Sequence, residues 1–116
     1  MLRPALRRYF RHGLFPQLMV FEAVVRLRGA TRAAEELHLA QPTASVQLKK
    51  LARTLEVRLF EQRGRRLYLT PAGLALRESC GELMRCLVST DDRLSACRVA
   101  AVFPREPAPV DPLARA

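Results

Sequence analysis

No apolar run in the chain approaches the ~18 residues that a membrane-spanning helix needs, because Glu22 and Arg26 interrupt the best candidate, Leu18 to Leu27. No membrane partner is therefore expected. A secretory leader is not expected either, since Arg3, Arg7, Arg8 and Arg11 are followed by Pro16, Gln17 and Glu22 instead of a continuous apolar stretch. Cysteine is scarce: Cys80, Cys86 and Cys97 are odd in number and fit no zinc spacing, and only His12 and His38 offer imidazole. Neither a metal site nor a disulfide framework follows from them, and reduced thiols in the cytoplasm are the natural reading. Converging catalytic groups are missing too. Glu35 with Glu36 and Asp91 with Asp92 are adjacent in sequence, so on a helix their side chains diverge. There is no Ser, His and acid arrangement and no glycine-rich phosphate loop, so neither enzymatic activity nor a cofactor is expected.

What the sequence does contain is positive charge, placed unevenly. The whole chain carries a formal charge of +9 over 116 residues. Met1 to Thr70 holds 14 Lys plus Arg against 5 Glu, a net of +9, whereas Pro71 to Ala116 holds 6 of each sign, a net of 0. A compact segment with that balance suits a polyanion, nucleic acid first among them, although a solvated basic surface has the same composition. Hydrophobic residues at 49% and charged residues at 27% are ordinary for a globular chain. At this length about two-thirds of the unfolded surface can be buried.

Periodicity divides the chain into elements. Pro16 opens a helix to about Arg28 with an apolar stripe of Leu18, Phe21, Val24, Val25 and Leu27, and Gly29 offers a flexible residue after its end. Thr31 is placed to cap a short helix through Leu37, in which Ala33 and Ala34 allow another helix to approach. After a tight connection at His38, Leu39 and Ala40, a third helix begins near Gln41 with Pro42 in its first turn. Its Ala44, Leu48, Leu51 and Leu55 fall at i, i+4, i+7 and i+11. Arg58 to Gln62 and Leu67 to Thr70 read as two short strands around Arg63, Gly64, Arg65 and Arg66. Thr70 as cap and Pro71 at the first helical position open a long helix to about Val99. Its Leu76, Cys80, Leu83, Leu87 and Leu94 keep a four-three rhythm, with Thr90 in the gap, that suits pairing with a second helix or packing on its own domain. Four prolines between Pro104 and Pro112 exclude helix from the tail, which reads as extended and unpacked.

At ~100° per residue, the core side of the third helix leaves Thr43, Val46, Lys49, Lys50 and Arg53 pointing outward, with Gln47 and Ser45 on the flanks. Lysine and arginine neutralise phosphates, while Gln, Ser and Thr hydrogen-bond base edges and the threonine methyl can meet a thymine methyl. Gln41 lies at the amino end, the end that helix-turn-helix proteins insert into the major groove. Any one of these residues is ordinary polar surface. Two helices three residues apart, followed by an arginine-tipped hairpin, favour DNA.

The stretch from Leu18 to Gly73, with ATRAAEELHLAQPTASVQLKKLARTLEVRLFEQRGRRLYLTPAG as its core, resembles the amino-terminal winged helix-turn-helix domain of LysR-type transcriptional regulators. The resemblance implies a mainly α fold of three helices plus a two-stranded wing, followed by a long dimerisation helix. It implies major-groove contacts by Gln41, Pro42, Thr43 and Ser45, supported by Gln47 and Lys49; the helical face adds Lys50 and Arg53 as further DNA-facing cations. Thr31 would lie near the DNA backbone, and Arg63, Arg65 and Arg66 would reach phosphates or the minor groove as a wing. Leu76, Cys80, Leu83, Leu87 and Leu94 would pair two linker helices.

Three positions depart from the family pattern. Ala40 replaces the usual Ser or Thr cap, which should cost the recognition helix about 1 kcal/mol. Glu56 stands where glycine commonly ends that helix, and Val46 replaces a frequent arginine. The expected organisation is a basic extension at 1–13, a DNA-binding domain at 14–70, a linker helix at 71–99 and a tail at 100–116. The extension would be a DNA-contacting arm or an artefact of start-codon choice. Family members carry an effector-binding domain after the linker helix, where this chain turns proline-rich. Two functions follow: a regulator that binds double-stranded DNA as a homodimer without ligand sensing, or a truncated interaction protein that forms mixed dimers with a full-length regulator and binds DNA weakly or not at all.

Overall fold

The computed structural model describes residues 3–11 and 13–100. The order of elements is α1 (Pro4–Arg11), α2 (Leu14–Leu27), α3 (Ala30–Glu36), α4 (Gln41–Leu55), β1 (Phe60–Arg63), β2 (Arg66–Leu69) and α5 (Pro71–Ala100). The fold is mainly α, with one antiparallel pair of strands. The proline-rich tail from residue 101 onward lies outside the described residues. Two compact units divide the chain between Leu83 and Met84.

In the first unit α2, α3 and α4 enclose a core with two centres. Val20, Ala23 and Val24 of α2 meet Ala33 and Ala34 of α3 and Ala44 of α4, all buried. Alanine is required at this crossing because three backbones converge and a larger side chain would separate them. The second centre joins Leu18 and Phe21 of α2 to Leu51 of α4, Leu59 and Cys80. Phe21 and Leu51 are fully buried, each contributing about 1.5–3 kcal/mol by burial. The Phe21 ring meets Phe60 at 5.5 Å between centroids, tilted by 46°, which fixes β1 over α2.

Four expectations need correction. The helix expected from Pro16 begins at Leu14 and ends at Leu27, since proline in a first turn lacks only an N–H that the helix does not use. The left-handed residue after it is Arg28, at φ 59°, and not Gly29, whose φ of 172° is extended backbone. Thr31 is not a cap: α3 starts at Ala30, Gly29 holds the cap position, and no side chain caps the helix. The strands begin and end nearer the turn than expected, because Leu59 turns into the core at 3% exposure and Thr70 caps α5 through the Gly73 N–H at 3.0 Å. Residues in the basic extension, for which no element was expected, form α1. Pro4 at the first helical position and arginines in the last turn both favour a helix there.

An exposed network bolts α3 to α2. The Arg26 guanidinium takes Glu22 at 2.9 Å and reaches both carboxylate oxygens of Glu36. The hydrogen bond from Arg26 holds the Glu36 carboxyl below the usual carboxylate range, and the two carboxylates, Glu36 first, hold Arg26 still more firmly protonated.

In the second unit the described part, Met84 to Ala100, is the later course of α5. There Thr90 donates to the Cys86 carbonyl at 2.8 Å, and Arg98 bonds Asp91 at 3.2 Å and Ser95 at 2.6 Å.

Candidate nucleic-acid interface

The outward face of α4 follows from its inward one. Ala44, Leu51 and Thr54 are buried, which leaves Pro42, Thr43, Val46, Lys49, Lys50 and Arg53 exposed. Ser45 and Gln47 flank this face half-buried, and Gln41 is exposed at the amino end. Gln41 Nε2 donates to Ser45 Oγ at 3.1 Å, so the two polar groups at the leading turn constrain each other. Ala40 precedes the helix in extended conformation without a side-chain cap, and the first-turn N–H groups are therefore open to an acceptor from outside. Glu56 closes the helix in left-handed conformation at φ 58°, where Arg8 of α1 meets its carboxylate at 3.4 Å.

The connection from α3 to α4 is tight. His38 adopts φ 56°, and the Leu39 N–H bonds the Ala34 carbonyl at 2.8 Å. Thr31 is exposed on the first turn of α3, close in sequence to the exposed Arg32.

In the hairpin, Phe60 pairs with Leu69, Glu61 with Tyr68, Gln62 with Leu67 and Arg63 with Arg66. Gly64 and Arg65 form the turn, and Gly64 takes φ 62°, the positive region that favours glycine. Of the three arginines only Arg65 sits at the tip. Arg63 and Arg66 face each other as the closing pair, and all three are exposed. Arg63 is held from two sides, by Glu61 at 3.2 Å and by the Tyr68 ring, 5.5 Å from its guanidinium carbon to the centroid. Sequence reasoning missed Tyr68. The diagonal relation of strand positions 63 and 68 was the signal, and it becomes readable only once the register is known.

The five residues expected to form a pairing seam on α5 do not share one environment. Cys80 is 1% exposed and belongs to its own chain's core with Leu18, Phe21, Leu51 and Leu59, so its side chain is covered within the chain and is not presented to a second helix. Burial first, and the Glu22 carboxylate second, push its thiol pKa up, which leaves it protonated and unreactive. Leu76 is half-buried against the same cluster. Leu83, Leu87 and Leu94 remain exposed at 44%, 44% and 48%.

A short helix, a tight turn and a second helix with an exposed polar leading end, flanked by an arginine-bearing hairpin, define a winged helix-turn-helix. Residues 15–74 match the family of bacterial regulatory helix-turn-helix proteins, lysR family. The chain belongs to that family. It is 45% identical over 74 residues to the RuBisCO operon transcriptional regulator of Acidithiobacillus ferrooxidans, a match covering 64% of this chain and 24% of that protein. It is 46% identical over 77 residues to the HTH-type transcriptional activator CmpR of a Synechocystis strain, covering 66% and 25%. The chain thus spans about a quarter of the length of these curated relatives. Among solved structures, the BenM DBD/catB site 1 DNA complex superimposes with a TM-score of 0.64 at 29% identity, covering 78% of this chain and 97% of that one. The CbnR DBD–DNA complex does so with a TM-score of 0.63 at 33% identity, covering 72% and 97%. Among the described residues no helix is long and apolar enough to cross a membrane.

Proposed function

We propose that this chain is a LysR-type transcriptional regulator module that binds double-stranded DNA, inserting the leading turn of α4 into the major groove and laying the wing on the flanking backbone. The observation that carries the reading is the coincidence of two independent features on the first unit. One is the coupled Gln41–Ser45 pair at the open amino end of α4. The other is the row of exposed cations along the same helix, Lys49, Lys50 and Arg53. Gln41, Pro42, Thr43 and Ser45, flanked by Gln47, read base edges. Lys49, Lys50, Arg53, Arg63, Arg65 and Arg66 neutralise phosphates, and Thr31 approaches the backbone from α3. Two relatives of known structure are complexes with DNA, which supports DNA as the partner and, with it, a cytoplasmic, nucleoid-associated location.

The chain works as a homodimer through α5. Leu83, Leu87 and Leu94 are apolar residues left in water at positions whose periodicity suits a second helix. Cys80 and Leu76 do not take part directly. Leu83→Glu places a charge in that pairing and yields monomers in sedimentation velocity at tens of micromolar. An unsubstituted chain that sediments as a monomer there removes the dimer from the reading.

The test of DNA binding is a titration against specific and random duplexes over a range of salt. With five to eight phosphates neutralised, log K falls against log salt with a slope of about −5 to −7. Lys49→Ala weakens both duplexes alike, and Gln41→Ala costs about 1–3 kcal/mol on the specific one. A flat salt response, or equal losses for Gln41→Ala on both duplexes, refutes the assignment.

A further inference from the structure

The wing contains two strands, so β2 is paired with β1 along one side only. A cleft of about 810 Å³ lies against β2. Five consecutive residues, Arg65 to Leu69, line this cleft. Side chains along a strand alternate between its two faces, so a lining that takes in five consecutive residues brings in both faces of β2 and, between them, the edge that β1 leaves unpaired. The rest of the lining comes from Val24 and Val25 near the end of α2, Leu74 at the start of α5 and Phe60 of β1. Leu67 and Leu74 stay 53% and 47% exposed. At the end beside Gly29 the cleft is open, with nothing within 4 Å of the position a Cβ would take there.

The charge around this apolar floor is of one sign. Arg28, Arg65, Arg66 and Arg77 border the cleft, and no carboxylate does. Among the described residues none of these four arginines is in an ion pair.

We propose that the cleft docks an extended segment of a partner protein in which carboxylate and apolar side chains alternate, the segment adding to β2 as a third strand. An added strand lies 4.7–4.9 Å beyond β2 and satisfies the edge groups of that strand. Its alternation sends the apolar side chains to the Val25 and Leu74 floor and the carboxylates to the arginine rim. Duplex DNA lacks that combination. Its phosphates would meet the arginines, but nothing in its backbone would cover Leu74 or add to a strand edge. The inference goes beyond the DNA-binding reading and does not rest on it: Arg65 and Arg66 border both surfaces, whereas Leu74 and Arg77 lie outside the proposed DNA face.

The test uses the ¹⁵N-labelled full chain and a probe hexapeptide, acetyl-(Glu-Val)₃-amide, with two controls. One control is the Lys-Val counterpart. The other is the Glu-Val peptide N-methylated on alternate backbone nitrogens, which keeps the charge and removes strand pairing. The Glu-Val peptide is expected to bind saturably, with its largest amide shifts at Leu67, Tyr68 and Leu69, and both controls are expected to fail. Arg77→Glu and Leu74→Asp, both substitutions of exposed residues, weaken the peptide at least about tenfold and leave DNA titrations and circular dichroism unchanged. Equal binding by the methylated peptide, shifts centred on α4, or absence of binding by the Glu-Val peptide overturns the proposal. So does a DNA duplex that moves the same three amides and is weakened by Arg77→Glu, because the cleft is then a nucleic-acid surface.

Discussion

Gly73→Ala is the substitution for which the fold makes the sharpest demand. A Cβ at this position, in the first turn of α5, would lie 2.2 Å from the Leu59 carbonyl oxygen, 2.9 Å from Leu69 Cδ2 and 3.2 Å from the Leu59 carbonyl carbon. The obstacle is backbone, and it has little freedom to move, since Leu59 is 3% exposed and its carbonyl accepts the Thr70 N–H at 3.0 Å. Relief requires α5 to shift by about 1 Å relative to the strand lead-in, a strain that overpacked sites convert into roughly 1–3 kcal/mol. The Thr70 to Leu59 hydrogen bond is lost or stretched in the process, at about 1 kcal/mol. Against this, alanine is the better helix former by about 1 kcal/mol. The balance is a destabilisation of about 1–3 kcal/mol, which for a domain near 100 residues lowers the melting temperature by roughly 4–8 °C per kcal/mol. Thermal unfolding followed by circular dichroism reads it directly. A variant that melts at or above the temperature of the unsubstituted chain refutes the close approach of α5 to Leu59.

Two further outcomes concern stability. Ala40→Ser supplies the oxygen that the first turn of α4 lacks, at a residue already in the extended conformation a cap needs, and raises stability by about 0.5–2 kcal/mol in urea unfolding. No change in midpoint would mean that those N–H groups are satisfied otherwise. The Arg26 network makes stability depend on acid pH. The folded state holds the Glu36 carboxyl below its ordinary range, so its contribution is complete above the unfolded value near 4.3 and disappears as pH falls through the lower folded value. Glu36→Gln therefore flattens the acid limb of stability against pH. Identical acid limbs for the two proteins would remove the network from the account.

The sequence made α4 legible because its core stripe is regular over four turns and its amino end is marked by Pro42. The wing was legible in kind and misplaced in extent. Leu59 and Thr70 have strand-like neighbours, but one is needed in the core and the other as a cap, and neither demand is local. Arg28 shows the same limit at a helix end. A glycine follows it, yet the chain takes its left-handed residue one position earlier, where the backbone must turn for α3 to reach Val24. The α5 periodicity was read correctly as apolar at Cys80, and its partner was not. A stripe has the same spacing whether it meets its own domain or another helix. In α1 Leu6 is exposed, and Pro4 with the arginines of the last turn are the features that mark the helix in the sequence.

Thr70 ties two pieces of chain together with one side chain and its own N–H. Its hydroxyl donates to the Arg58 carbonyl and accepts from the Gly73 N–H, while its N–H bonds the Leu59 carbonyl. The strand lead-in and the first turn of α5 are thereby knotted together, and Gly73 removes the slack between them. A knot of this kind acts as a gear. When the first turn of α5 rolls about its axis, the base of the hairpin turns with it, and Arg65, at the far end of two four-residue strands, sweeps through the longest arc. In the proposed DNA complex the pitch of the wing would follow from how the first turn of α5 is held, away from the residues assigned to base contacts.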